Sequence, residues 1–231
     1  MRERLPPTVR VDLHEPALRD YFRARAEQHT QDSYMGVPLS KFPEDLRVYE
    51  HLLWLDAPDT VIELGTQFGG SALWFRDRLT ALLAYGRITK TPRVITIDLD
   101  LTPASAALTN LDTTGLTLIE GPLEDLAIVN QVAELIGERC LVVEDSAHTY
   151  ETTAAALRHY APFVSPGGFM VVEDGCVDDD ALRIDATWPR GVRPAIDDWL
   201  RTTQGQAFVV RRDLELYGVS CHPSGFLQRV G

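Results

Sequence analysis

The sequence predicts a single α/β domain: a mostly parallel sheet with helices packed on both of its faces. Three observations carry that expectation. Five short runs rich in Val, Ile and Leu recur between residues 60 and 174, helix-like stretches separate most of them, and the runs are apolar almost throughout instead of alternating. A strand covered on both faces has no solvent side for polar residues, so continuous apolarity marks a buried parallel strand. The 231 residues suffice for one such domain with a full core and fall short of two.

Taken in order, residues 16–29 and 44–55 carry helical patterns, joined by a loop containing Ser33, Tyr34, Met35, Gly36, Val37 and Pro38. We expect residues 1–55 to form a helical cap and residues 56–231 one globular core. The core strands are 60–65, 93–98, 116–121, 140–145 and 169–174, with helices over 70–85, 124–136 and 150–160. The tail adds a helix over 194–201 and two strand candidates, 207–211 and 225–230, which suit an antiparallel hairpin at the sheet edge. No repeat, low-complexity tract or linker interrupts the chain.

Composition narrows the function. Apolar residues make up 45% and charged residues 24%, an ordinary globular balance. The formal net charge of −12 would repel phosphate backbones, which argues against a nucleic-acid partner. No apolar run approaches the length of a membrane span, and the charged opening is followed by no apolar stretch of the kind a secretory signal needs. Cys140, Cys176 and Cys221 are odd in number and lack CxxC spacing, so they read as free, buried thiols in a reducing, cytoplasmic setting.

The chemistry gathers at the carboxyl ends of the strands, where open α/β sheets bind ligands. The first core strand runs into Glu63, Gly65, Thr66, Gln67, Gly69, Gly70 and Ser71. Three glycines permit a tight turn and close approach of backbone to a ligand at a helix start. Gln67 stands where a dinucleotide fold has its pyrophosphate glycine, which disfavours a nicotinamide dehydrogenase. S-adenosylmethionine has no pyrophosphate, and its ammonium suits Glu63. An ordinary strand-to-helix turn is the competing reading. Asp98 stands where a carboxylate accepts ribose hydroxyls, although strand-end aspartates also serve as turn or cap residues. Gly121 is placed to let adenine lie on backbone, or is a plain turn glycine.

The two later strands end in Glu144-Asp145-Ser146-Ala147-His148 and Glu173-Asp174-Gly175. Acids delivered to one edge by neighbouring strands repel each other without a cation. Asp145, Glu173 and Asp174 supply hard oxygen ligands that suit Mg²⁺. The competing reading makes them caps of the following helices and turns. His148, three residues past Asp145, is a candidate general base. The other five histidines, His222 among them, read as structural or exposed. Arg190, Arg193, Arg211 and Arg212 in the tail suit phosphate recognition, or are solvated charges.

These residues resemble the cephalosporin hydroxylase-like family of class I methyltransferases, which includes rhamnosyl and macrolide-sugar O-methyltransferases. The matching stretches are Gly36-Val37-Pro38 with Lys41, Pro43 and Asp45, then residues 61–71, 93–100, 143–148 and 164–174. The resemblance implies a Rossmann-like class I methyltransferase fold. It also implies that Glu63, Gly65 and Asp98 contact S-adenosylmethionine, within a turn that includes Thr66, Gly69 and Ser71. Asp145, Glu173 and Asp174 would hold magnesium. His148 matches the base of some sugar methyltransferases, while other relatives give that role to the metal-binding aspartate, here Asp145. Glu144 departs from the apolar residue expected before Asp145; it either joins the acid group or points away.

The activity implied is O-methylation of a sugar hydroxyl in secondary metabolism, such as antibiotic biosynthesis. The acceptor would be a nucleotide sugar such as TDP-rhamnose or a glycosylated natural product. A catechol-type methyltransferase, with Tyr34, Trp188 and Trp199 walling an aromatic pocket, is the alternative enzyme. A non-catalytic S-adenosylmethionine-binding partner protein is the alternative outside catalysis. Leu52, Leu53, Trp54 and Leu55 offer an apolar segment for assembly, and a homo-oligomer is expected.

Overall fold

The computed structural model describes residues 5–183 and 186–231, so the first four residues of the charged opening lie outside it. The chain enters through α1 (Pro16–His29), a short antiparallel ribbon of β1 (Ser33–Tyr34) and β2 (Val37–Pro38), and α2 (Pro43–Asp56). Then come β3 (Thr60–Leu64), α3 (Gly70–Ala84), β4 (Arg93–Asp98), α4 (Thr102–Leu108), β5 (Leu116–Glu120), α5 (Leu126–Leu135) and β6 (Cys140–Glu144). The remainder is α6 (Tyr150–Tyr160), β7 (Phe169–Val172), α7 (Val192–Trp199), β8 (Phe208–Val210) and β9 (Phe226–Arg229). Local signals explain several ends. Proline opens α1 and α2, where its missing N–H is not needed. Thr149 and Thr152 form a capping box on α6, with Glu151 in the first turn and Arg158 and His159 in the last. The ribbon lies in the stretch expected as a loop, and α4 was not expected; two and seven residues are too short to display a period.

Among the described residues one seven-stranded sheet runs in the order β5-β4-β3-β6-β7-β9-β8. Its first five members are parallel, and β9 lies antiparallel to both β7 and β8. The expected pairing of the tail strands is present, with the later strand, β9, inside and β8 at the edge. The chain builds outward from β3 to β5, then returns to the other side of β3 at β6. That reversal opens a crevice beyond the carboxyl ends of β3 and β6.

Strand alternation divides the core. Ile62, Leu64, Ile95, Val142 and Met170 pack beneath α6 and α7, whereas Val61, Val94, Val143 and Val171 pack beneath α2 and α3. Burial on both faces is the physical reason for the continuous apolar runs. Val48, Tyr49, Leu52 and Leu53 of α2 sit in the second cluster. Of the segment Leu52–Leu55, Leu52 and Leu53 therefore belong to the core, and exposed Trp54 lies beneath the Arg87 guanidinium. All three cysteines are buried and free, and among the described residues no helix is long and apolar enough to cross a membrane.

Gly65 shows why the first turn needs glycine. Its φ is +104°, and a Cβ there would stand 1.9 Å from the Asp145 carbonyl oxygen. The ends of β3 and β6 touch at this point, since the Asp145 N–H donates to the Leu64 carbonyl at 2.8 Å. Gly65→Ala should therefore pry the two strands apart. We expect a loss of about 1–3 kcal/mol from the backbone conformation alone. Overpacking adds a comparable amount. A urea midpoint near the parent's would refute this.

Candidate active site

A cavity of about 450 Å³ opens beyond the carboxyl ends of β3, β4, β6 and β7. The predicted residues Gly65, Thr66, Ser71, Asp98, Gly121, Asp145, His148 and Asp174 line it, joined by Lys41, Gln67, Phe68, Leu99 and Trp188. His29 and Thr30, at the end of α1, form part of its rim. Three predicted residues, Glu63, Gly69 and Glu173, are absent from the wall and stand behind it. Gly69 starts α3 at φ +82°, with a Leu108 methyl 2.9 Å from where its Cβ would be.

On the glycine-turn side, the carboxylate of Asp98 organises the loop. Its Oδ2 accepts the backbone N–H groups of Thr66 and Gln67, both at 2.8 Å, and Gln67 takes a φ of +48° to reach it. Glu63 is fully buried, and its Oε2 accepts the Thr96 hydroxyl at 2.8 Å. Its Oε1 has no hydrogen-bond partner. Burial pushes this carboxyl up to about 7, against the pull of Lys41 and the Thr96 hydroxyl. An orphaned buried acceptor next to a turn that tolerates close approach fits a ligand carrying an ammonium group.

The other side is an acid cluster. Asp145 Oδ1 and Asp174 Oδ2 lie 3.8 and 3.5 Å from His148 Nε2. One donor atom from each of these three residues falls within 4.8 Å of the others, close enough to share a cation; Glu173, Asp174 and His222 form a second such group. His148 and Asp174 both adopt φ +55°, a costly conformation for residues with side chains and one that clusters at functional sites. The capping alternative fails on geometry. Thr149, and not Asp145, caps α6, and Asp174 makes no side-chain cap bond to the turn that follows it.

Strand alternation sorts the acids. Val143 and Val171 face α2, so Asp145 and Glu173, two residues further on, point the same way. Glu144 faces α6 instead, where its carboxylate accepts the hydroxyls of Ser146 and Thr153. Of the two places open to Glu144, the structure selects the one away from the cavity.

The main group that sequence reasoning missed is Lys41. Only 3% exposed, its ammonium donates to Asp145 Oδ2 at 2.8 Å and to both Glu173 oxygens at 2.7 Å. Burial works against its charge, but Asp145, Glu173 and Glu63 outweigh it and raise the pKa above the ordinary lysine range. Tyr49 also donates its hydroxyl to Glu173. His222, read from sequence as structural or exposed, is buried in this cluster. Its Nδ1 accepts the Asp174 N–H at 3.1 Å, and its Nε2 lies 3.6 Å from Asp45 and 3.8 Å from Glu173. Asp45 in turn accepts the Cys221 N–H at 3.0 Å. Lys41 and Asp45 had a signal only in the resemblance; Tyr49 and His222 had none.

Other candidates fall elsewhere. Arg190 pairs with Asp180 and Arg211 with Asp213, and none of Arg190, Arg193, Arg211 and Arg212 lines the cavity. Tyr34 donates to Asp77, and Trp199 packs on Phe208 in the core, which leaves Trp188 alone of the three proposed aromatics at the cavity.

A parallel sheet of this strand order, ended by an antiparallel β9 and carrying its cavity at a glycine turn, defines a class I methyltransferase fold. Within that class the chain belongs to the rhamnosyl O-methyltransferase/CmcI family, which it matches over residues 27–230. It is 30% identical over 148 residues to a rhamnosyl O-methyltransferase of Mycobacterium leprae (strain TN), an alignment that takes in 62% of this chain and 59% of that protein. The match thus leaves a substantial part of that relative's length uncovered. By fold the chain is similar to the Mg-SAM structure of CmcI, with TM-score 0.63 and 23% identity over 87% of this chain and 78% of that one. It is also similar to the MycE methyltransferase of the mycinamycin biosynthetic pathway in complex with Mg and SAH, with TM-score 0.50 and 15% identity over 81% and 50%.

Proposed function

We propose that this chain transfers a methyl group from S-adenosylmethionine to a sugar hydroxyl with the help of a divalent cation, magnesium. The observation that carries the reading is the meeting, in one cavity, of the Asp98-bound glycine turn with the carboxylates of Asp145 and Asp174 around His148. The names of the relatives support it: a rhamnosyl O-methyltransferase in sequence, and a Mg-SAM structure in fold. The acceptor class is a nucleotide sugar such as TDP-rhamnose or a glycosylated natural product, and MycE's pathway supports a natural-product setting.

When bound, the methyl donor supplies an electrophilic carbon and the cation supplies Lewis acidity toward acceptor oxygens. Glu63 and the turn from Gly65 through Thr66 and Gly69 to Ser71 would hold the amino-acid end of the donor. Asp98 would take its ribose hydroxyls and Gly121 its adenine. Asp145, Glu173 and Asp174 would hold the cation, with Lys41 keeping Glu173 and one Asp145 oxygen in place. His148 directs Nε2 between Asp145 and Asp174 and takes the proton from the acceptor hydroxyl.

Calorimetry with the purified chain tests the reading: it should take up S-adenosylmethionine and Mg²⁺, and then methylate a sugar acceptor. A chain that binds neither, or that binds the donor and methylates nothing with metal present, removes the proposal. Asp174→Asn should weaken Mg²⁺ uptake by more than the roughly 10–100-fold expected for losing a residue that merely orients a ligand. Unaltered Mg²⁺ affinity in that variant would take Asp174 out of the site.

A further inference from the structure

The main-chain ladder between β6 and β7 ends at Glu173, whose N–H donates to the Glu144 carbonyl at 2.8 Å. Asp174, one residue further, turns away at φ +55°. Its N–H has left the ladder and donates instead to Nδ1 of His222 at 3.1 Å. A residue with a side chain stays in the left-handed region only where its surroundings hold it there. Here the surroundings are residues 221–223, just before β9. The Cys221 carbonyl accepts the Cys176 N–H at 3.1 Å, and a Cβ on Gly175 would stand 2.8 Å from the Pro223 carbonyl oxygen. Between these two contacts, the imidazole of His222 supplies the bond to Asp174 itself.

His222 is 2% exposed and packs edge-on against Tyr49 and Phe226. Accepting from Asp174 requires that Nδ1 carry no proton, which places the ring proton on Nε2. That atom is buried and faces two carboxylates, Asp45 Oδ2 at 3.6 Å and Glu173 Oε2 at 3.8 Å. Both distances exceed a hydrogen bond. Even so, the two acids attract an Nε2–H and repel a bare nitrogen, so they select the tautomer that accepts from Asp174. Asp45 is itself held in place, its Oδ2 accepting the Cys221 N–H at 3.0 Å. His222 stands close enough to Glu173 and Asp174 to share a cation with them, but in this tautomer its ring has no lone pair left to give.

We infer that His222 is a positioning residue for the cation: it takes the Asp174 N–H, so that the Asp174 carboxylate faces Asp145 and His148, and Asp45 sets its tautomer. The inference rests on the proposed cation site for its effect on binding, and on the geometry of the metal-free chain for the tether.

Calorimetric titration of Mg²⁺ into the whole chain, with urea unfolding alongside, tests it. His222→Leu keeps much of the bulk and loses the acceptor, and should weaken Mg²⁺ uptake about 10–100-fold. His222→Asn puts an oxygen where Nδ1 stands and should restore most of that affinity. His222→Gln carries its amide one bond beyond that position and should bind as weakly as His222→Leu. Asp45→Asn, which still accepts from Cys221 but loses its charge, should lower the affinity by less. Uptake of S-adenosylmethionine should be unchanged in all four, because Asp98 and the glycine turn lie on other strands. Should His222→Leu fail to fold, the contrast between asparagine and glutamine decides.

In the metal-free chain, nitrogen-15 NMR should find the His222 ring proton on Nε2. The Asp174 amide should be hydrogen-bonded in the parent and in His222→Asn, and free in His222→Leu. Equal Mg²⁺ affinity in the parent and His222→Leu, no rescue by asparagine, or a ring proton on Nδ1 would overturn the inference. A parent that takes up no Mg²⁺ would defeat the cation reading itself, and this role of His222 with it.

Discussion

Replacing Lys41 by methionine should remove about 3–5 kcal/mol of folding stability, the usual cost of stranding one half of a buried ion pair. The ammonium is 3% exposed and makes three hydrogen bonds, two to Glu173 and one to Asp145. Methionine nearly preserves the volume, so the loss would report on charge and hydrogen bonding and not on packing. Glu173, itself 2% exposed, would keep Tyr49 as a partner but lose its counter-charge. The double variant Lys41→Met with Glu173→Gln should be more stable than Lys41→Met alone, because the stranded charge is then gone. Because Lys41's pKa is raised, its contribution is fully present at neutral pH and is lost only as pH climbs through its folded value. Urea unfolding measures all of this. A single variant within about 1 kcal/mol of the parent would show that the pair is not stabilising.

The second large effect concerns turnover. His148→Ala should slow methyl transfer by roughly 10²–10⁴-fold, the range expected for a positioned proton acceptor. Binding of S-adenosylmethionine should hold, since the turn and Asp98 lie on other strands. His148 sits at φ +55°, so His148→Asn is the better-tolerated companion variant, because asparagine enters the left-handed region more readily than alanine. Turnover that survives both changes would pass the proton-accepting role to Asp145, whose Oδ1 lies 3.8 Å from His148 Nε2.

Much of this arrangement is legible without coordinates. The five core strands were readable because parallel strands buried on both faces are continuously apolar, and each ended within two residues of its expected limit. The acids beyond them were readable because carboxylates at the ends of buried strands call for compensation. Asp145, His148 and Asp174 do converge, as does Asp98 with the glycine turn. Glu63 and Glu173 were placed on the correct strand ends but not behind the wall, where their alternation puts them. That same alternation, applied to residues 144 and 145, would have sent Glu144 to the α6 side in advance.

By itself, then, the sequence determined the parallel strands and the identity of the residues delivered to their carboxyl ends, which follow from local periodicity and strand-end chemistry; the strand order, and with it the switch point, came with the tertiary structure. Only the tertiary structure decided how the charges balance. Lys41 reaches Glu173 across 132 positions, and Cys221 reaches Asp45 across 176. His222 meets Asp174 only because β9 returns beside β7. Such neighbours leave no periodic trace in the chain, since the electrostatics of a buried site depend on which elements pack together and not on how residues are spaced along one of them.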